Sequence, residues 1–228
     1  DDAVIVCTFG DASLNHASAQ TALNCADWIS YQNLPLPLVF ICEDNGIGIS
    51  VRTPNEWVKN SRIKSPAIKY FECDGLDIIE SLDVVNEAFK YSRNGRRPSF
   101  IRFKTVRLMG HAGSDIESVY RNLKELEASE RQDPILRSAK TIIGNGFLTH
   151  DEVLKIYLDL EKRIDRIGEE IILRSALTDT EAIVASVVQF KELKKMPELP
   201  SDESRMKIFG NEWEQMKSGQ PLAKLINW

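Results

Sequence analysis

Apolar residues gather in short runs separated by polar, glycine-bearing turns. Ala3 to Phe9 and Leu38 to Cys42 read as buried strands, and the stretches 69–73 and 99–106 as further strands. Between the runs, apolar positions recur at helical spacing. Residues 14–30 hold Leu14, Ala17, Ala22, Leu23, Cys25, Ala26 and Ile29, a pattern for a helix lying close on a sheet. Leu34-Pro35-Leu36-Pro37 forces an extended entry to the second strand. Asp77 is placed to cap a helix over 78–93, which Asn94-Gly95 ends. Strands alternating with helices in this way predict an α/β fold, a parallel sheet with helices on both faces followed by C-terminal helices.

Other elements follow from local signals. Thr53-Pro54-Asn55-Glu56 has a capping-box pattern and predicts a short helix beginning there. The glycine-rich stretch 107–115 reads as a mobile loop, and 116–131 as one highly charged helix. Asp133-Pro134 starts a helix that stops near Gly144-Asn145-Gly146. Thr149-His150-Asp151-Glu152 opens a long helix striped by Val153, Ile156, Tyr157, Leu160, Ile164, Ile167 and Ile171, so His150 is read as structural. Thr178 with Glu181 caps one more helix, 182–190. From Lys191 the pattern degrades toward a linker or extended arm. The expected organisation is therefore a domain over 1–190 and an arm over 191–228. The chain has no initiator Met and enters a core strand almost at once, as expected of a piece of a longer polypeptide.

The composition is that of a soluble globular protein: 228 residues, 43% hydrophobic and 28% charged. A net charge of −5 argues against non-specific nucleic-acid binding. No apolar run approaches a membrane span and no signal peptide is present, so a cytoplasmic protein is expected. Cys7, Cys25, Cys42 and Cys73 fit no zinc spacing and read as small reduced core residues.

Candidate chemistry lies at the strand ends. Ligands of parallel sheets bind there, and two oxygen-bearing turns follow the first two strands: Gly10-Asp11-Ala12-Ser13 and Glu43-Asp44-Asn45-Gly46-Ile47-Gly48. Mg²⁺ takes hard oxygens and shares its shell with phosphates. The Asp11 carboxylate, the Asn45 side-chain oxygen and a carbonyl near Ile47 would supply the protein's share, with the backbone N–H groups of Ala12 and Ser13 facing a diphosphate. Each turn alone is equally an ordinary turn. Arg107 is either a phosphate partner or a surface ion pair, and His111 an acid, base or donor on the loop, or a solvated residue. His16 either touches ligand or caps the first helix. Tyr120-Arg121 could anchor the loop before it.

These residues, in this order, resemble the alpha part of the thiamine-diphosphate-dependent first component of 2-oxo acid dehydrogenase complexes. Gly10-Asp11-Ala12 and Glu43-Asp44-Asn45 are similar to that family's Gly-Asp-Gly and Glu-Asn-Asn motif. Asp74-Gly75-Leu76-Asp77, the strand from Pro98 to Phe103, the loop Gly110 to Asp115 with Tyr120-Arg121, and Asp133-Pro134-Ile135 extend the likeness to about residue 173. The resemblance implies a thiamine-diphosphate-binding fold, with thiamine diphosphate and Mg²⁺ as cofactors. It implies Asp11, Asn45 and the Ile47 carbonyl on the metal; Gly10, Ala12, Ser13 and Arg107 at the diphosphate; and His111 near the cofactor as the catalytic candidate. It further implies oxidative decarboxylation of pyruvate or a branched-chain 2-oxo acid, with the acyl unit passed to a lipoyl group. The implied partners are a beta part, fused or separate, a lipoyl-bearing acyltransferase and a second copy of the chain, and neither nucleic acid nor membrane. Gln220 to Trp228 resembles the opening of a beta part, so the segment alone is expected to be inactive. Ala12 and Asp44 depart from the motif, Asp44 adding a negative charge beside the metal. Ala112 stands where phosphorylation-controlled members carry Ser. A transketolase-type enzyme and a non-catalytic scaffold are the alternative readings.

Overall fold

The computed structural model describes residues 2–62, 65, 67–187 and 201–216. Four parallel strands, β1 (Ile5–Gly10), β2 (Leu38–Asp44), β3 (Lys69–Asp74) and β4 (Ser99–Lys104), form one sheet in the order β1-β2-β4-β3. Gly10 lies opposite Glu43, and Asp44 and Asp74 both lie opposite Lys104. All the strands therefore end on one edge of the sheet, as the alternation of elements predicts.

Period-two alternation divides the core between the two faces. Phe40, Cys42 and Phe100 pack with Leu14, with Leu23 and Ala26 of α1 (Ala17–Tyr31) and with Val58 of α2 (Trp57–Arg62). Val39, Phe71 and Ile101 face the other way, onto Ala88 of α3 (Ile78–Gly95). The ring of Phe100 lies 6.0 Å from those of Phe9 and Tyr70, and burying a side chain of its size contributes about 1.5–3 kcal/mol.

Asp77 caps α3 as expected, its Oδ1 accepting from the N–H groups of Ile79 and Glu80 at 3.0 and 3.1 Å. α5 (Pro134–Gly144) begins with Asp133 as cap, and α6 (His150–Ile172) with a capping box in which Thr149 and Glu152 exchange hydrogen bonds. The apolar stripe of α6 lies along one helix and is largely exposed.

Several expectations are corrected. β1 is an edge strand, with Ile5 63% exposed and Cys7 exposed as well, because strand order leaves its outer side without a partner among the described residues. Cys25 is exposed too, while Cys42 and Cys73 are buried, and all four cysteines are free. The first helix starts late: a 3₁₀ turn, Asp11–Asn15, precedes it. The charged helix is broken at Tyr120 and Arg121: the Tyr120 side chain turns back on the preceding loop, and that of Arg121 ties Glu117 to Ser129. A 3₁₀ turn, Glu117–Val119, comes first, and α4 (Leu123–Glu130) restarts at an Asn122–Glu125 capping box. The helix expected from Thr53 begins only at Trp57, because both residues of its capping box are used elsewhere.

The chain divides into two compact units, 1–164 and 165–228. In the second, Asp179 rather than Thr178 caps α7 (Thr180–Val187), donating nothing and accepting from Ala182 N–H at 2.8 Å. Two short helices follow, α8 (Asp202–Phe209) and α9 (Asn211–Met216), with the Arg205 guanidinium 4.8 Å from the Trp213 ring. The rest of the arm expected over 191–228, and the end of the helix at Phe190, lie outside the described residues. Among the described residues no helix is long and apolar enough to cross a membrane.

Candidate functional site

Because Gly10 and Glu43 are register partners, the turns carrying Asp11 and Asn45 leave neighbouring strands at the same edge. After Gly10 the chain enters the 3₁₀ turn, whose first N–H groups have no partner within it. His16 then caps α1, its Nδ1 accepting from Ser18 N–H at 3.3 Å. Beyond β2, Asn45 Oδ1 accepts from Ile47 N–H at 3.1 Å. Gly46, at φ +74°, takes a left-handed bend that disfavours any side chain. The loop then folds back on itself. Gly48 N–H donates to the Val51 carbonyl at 2.8 Å and Thr53 N–H to that of Gly46 at 3.1 Å, flanking an Ile47–Arg52 bridge. The Ile47 carbonyl lies outside both of these bonds.

The two turns touch. The Thr53 hydroxyl donates to Asp11 Oδ2 at 2.5 Å, and a Cβ built on Gly48 would lie 3.2 Å from that of Ala12. Asp11 is 1% exposed, and no Lys or Arg pairs with it among the described residues. Burial pushes its carboxyl above the ordinary carboxylate range; the Thr53 hydroxyl and the Ala12 N–H oppose this, and the charge of Asp44 adds to it. A cavity of about 340 Å³ opens between the turns, lined by Ala12, Asn15, Gly48, Val51, Thr53 and Trp57 among others. A second, of about 710 Å³, lies along β1 and α1 against Phe9, Ala12, Ser13 and His16.

Arg107 closes the site from the β4 side. Its Nη1 donates to the carbonyls of Gly48 and Ile49 at 2.8 and 2.9 Å. Its Nη2 donates to the Tyr120 hydroxyl at 2.6 Å and to Glu117 at 3.2 Å. Nε is buried and has no partner among the described residues. The Tyr120 hydroxyl donates to Asp115 Oδ2 at 2.6 Å, and that oxygen also accepts from His111 N–H at 2.7 Å. These two bonds hold the Asp115 carboxyl below its ordinary range. Arg121, buried, donates to Glu117 at 2.8 Å and to the Ser129 hydroxyl. Tyr120 thus anchors the loop directly and Arg121 only through Glu117, which also accepts from Arg107, and the His111 side chain stands exposed on the loop.

The structure therefore places Gly10, Asp11, Ala12, Ser13, Asn45 and Ile47 on one edge, with Arg107 reaching the same loop from above. His111 hangs from the loop that Arg107 ties in. The donors suit a hard divalent cation completing its shell from a ligand: one carboxylate, one amide oxygen and one carbonyl. Among the described residues no group of three or more His, Cys, Asp or Glu side chains could hold a metal ion by itself.

The family model for the dehydrogenase E1 component matches residues 1–171. The chain belongs to that family. It is similar to 2-oxoisovalerate dehydrogenase subunit alpha of Bacillus subtilis, 31% identical over 156 residues, covering 67% of this chain and 45% of that one. It is 30% identical to the pyruvate dehydrogenase E1 component subunit alpha of Rickettsia conorii over 151 residues, 64% of this chain and 44% of that one. The corresponding subunit of Mycoplasma genitalium is 27% identical over 203 residues, 86% of this chain and 53% of that one. The chain spans about half the length of the curated relatives it matches, or less.

Two residues of this E1 chain join the site without having been singled out in the sequence. The spacing predicts Thr53 as a helix cap; its hydroxyl instead meets Asp11, on another strand end, where no local signal points. Arg102, in β4, is 4% exposed beneath the corner. Its Nε donates to Asp44 Oδ2 at 2.6 Å, and its terminal nitrogens donate to Glu56 at 3.1 and 3.3 Å and to Glu72 at 3.4 Å. Lys59 donates to Glu72 at 2.7 Å from the other side. Glu56, the second member of the expected capping box, is thereby drawn to Arg102 with its backbone at φ +55°.

Proposed function

We propose that this E1 chain is the diphosphate-holding alpha part of a thiamine-diphosphate- and Mg²⁺-dependent enzyme that oxidatively decarboxylates a 2-oxo acid, pyruvate or a branched-chain acid, and passes the acyl unit to a lipoyl group. One observation carries the reading: Asp11 is a buried carboxylate that no Lys or Arg pairs with among the described residues, fastened by Thr53 to the loop that follows Asn45. A buried charge in this state is costly until a cation meets it. Family membership, and relatives named for both pyruvate and 2-oxoisovalerate, support the substrate class.

When bound, thiamine diphosphate supplies the carbanion-stabilising chemistry of the decarboxylation. The chain's own residues bind and orient. Asp11, Asn45 and the Ile47 carbonyl are the residues that would hold Mg²⁺. The N–H groups of Ala12 and Ser13, just beyond Gly10, would receive the phosphate oxygens, with the guanidinium of Arg107 beside them as the positive charge. His111, exposed on its loop, is left to meet substrate or the incoming lipoyl group. A beta part and a lipoyl-bearing acyltransferase complete the assembly, and two copies of the chain associate within it. The four free cysteines suit a reducing compartment, here taken as the cytoplasm.

The test is thermal unfolding of the full-length protein with thiamine diphosphate, with and without Mg²⁺. Ligand at about a hundredfold over its Kd stabilises by about 2.7 kcal/mol. The reading expects a metal-dependent upward shift that Asp11→Ala abolishes, and turnover of 2-oxo acids with an artificial electron acceptor once the beta part is present. No shift at saturating cofactor would overturn it in favour of a non-catalytic scaffold.

A further inference from the structure

Asp44 and Asn45 are consecutive, and a second ionised carboxylate facing the corner of Asp11 and Asn45 would repel an anionic tail. The sheet turns that charge elsewhere. Cys42 of β2 and Glu72 of β3 lie directly opposite Arg102. Asp44 is two residues beyond Cys42, so it shares the face of Arg102, diagonally placed. One Asp44 oxygen accepts from Arg102 Nε at 2.6 Å and the other from Gly46 N–H at 3.3 Å. The ion pair is well sheltered, its side chains 5% and 10% exposed. Glu56 and Glu72 hold the guanidinium on its remaining sides, so it has no freedom to swing away.

We infer that Arg102 is a positioning residue for the cofactor corner: it pairs with the Asp44 carboxylate and turns it into the charge cluster beneath the sheet edge, so that Asp44 adds less negative charge to the corner beside Asp11. The inference rests on the magnesium–diphosphate reading above. It assigns Arg102 no contact with cofactor. Its effect is electrostatic and reaches the ligand through Asp44.

The experiment is a double-mutant cycle in the full-length protein with its beta part. Thiamine diphosphate affinity in saturating Mg²⁺ is measured by calorimetry, and the cofactor-free melting temperature is measured alongside. Arg102→Gln is expected to weaken binding by about tenfold or more, because Asp44 is then unpaired beside the site. Asp44→Asn alone is expected to bind like wild type, and Asp44→Asn with Arg102→Gln to regain affinity to within about threefold, whatever happens to the melting temperature. A merely structural arginine would lower the melting temperature without this rescue. Wild-type affinity in Arg102→Gln, or no rescue in the double variant, overturns the inference. Should Arg102→Gln not fold, the double variant decides: folded with near-wild-type affinity it supports the inference, and weakly binding or unfolded it overturns it. Asp11→Ala separates the two levels, because cofactor binding that survives it strikes the coenzyme reading itself.

Discussion

The Thr53 hydroxyl donates to Asp11 Oδ2 across 42 positions of chain, at 2.5 Å. This bond fixes one oxygen of a buried carboxylate and pins the loop after β2 onto the turn after β1. Thr53→Val keeps the shape and removes the donor. Hydrogen bonds to charged groups contribute about 1.5–3 kcal/mol. Urea unfolding of the cofactor-free protein is expected to show a loss of that order, which Thr53→Ser recovers, together with weaker Mg²⁺-dependent cofactor binding. Unchanged stability and unchanged binding would remove Thr53 from the site.

Asp11 is held above the ordinary carboxylate range chiefly by burial. A raised folded-state value means that the native protein binds this proton more tightly than the unfolded chain does. Its favourable contribution is present in acid and is lost as pH rises through the raised value. Asp11→Asn therefore stabilises the cofactor-free protein at neutral pH, and the gap to wild type narrows as pH falls. Melting curves taken from neutral pH downward check the sign. Cation binding needs the ionised form, so wild-type Mg²⁺ affinity falls off at a higher pH than an ordinary aspartate would give.

The Tyr120 hydroxyl donates a hydrogen bond to Asp115 while accepting one from Arg107. Tyr120→Phe severs both links at once. The His111 amide, which shares the Asp115 oxygen, is expected to exchange its hydrogen about tenfold faster, since local opening is governed by the few bonds that close the loop. Global stability should fall by about 1 kcal/mol, the usual net contribution of a hydrogen bond in a partly buried network. Exchange measured at single amides distinguishes the two effects.

β1 and β2 were legible because each is an apolar, branched run closed by turn residues, β3 and β4 carry charges between their apolar positions, and parallel order follows from the helices between the strands. The caps at Asp77, Asp133 and Thr149 were legible for a similar reason, since donor and acceptor lie within one turn of each other. Thr53-x-x-Glu56 carries the same local pattern and fails. Asp11 and Arg102 take its two side chains from across the sheet, and a four-residue window holds no record of them. The exposure of Ile5 and Cys7 was hidden likewise: an apolar run says that a strand forms but not where it lies in the strand order. Arg107 reads from the sequence as a phosphate partner or a surface ion pair; its grip on two main-chain carbonyls depends on the shape of a loop far back in the chain.

Ala12 and Gly48 face each other across a gap that a single methyl already fills. Bulk admitted on one side is therefore withdrawn from the other. Where a motif of this kind keeps glycine at the first of these places, the second is released to carry a side chain. Where alanine takes the first, as it does here, a side chain at the second fits only if the turn gives way, and across related chains the two sites should change size in opposition.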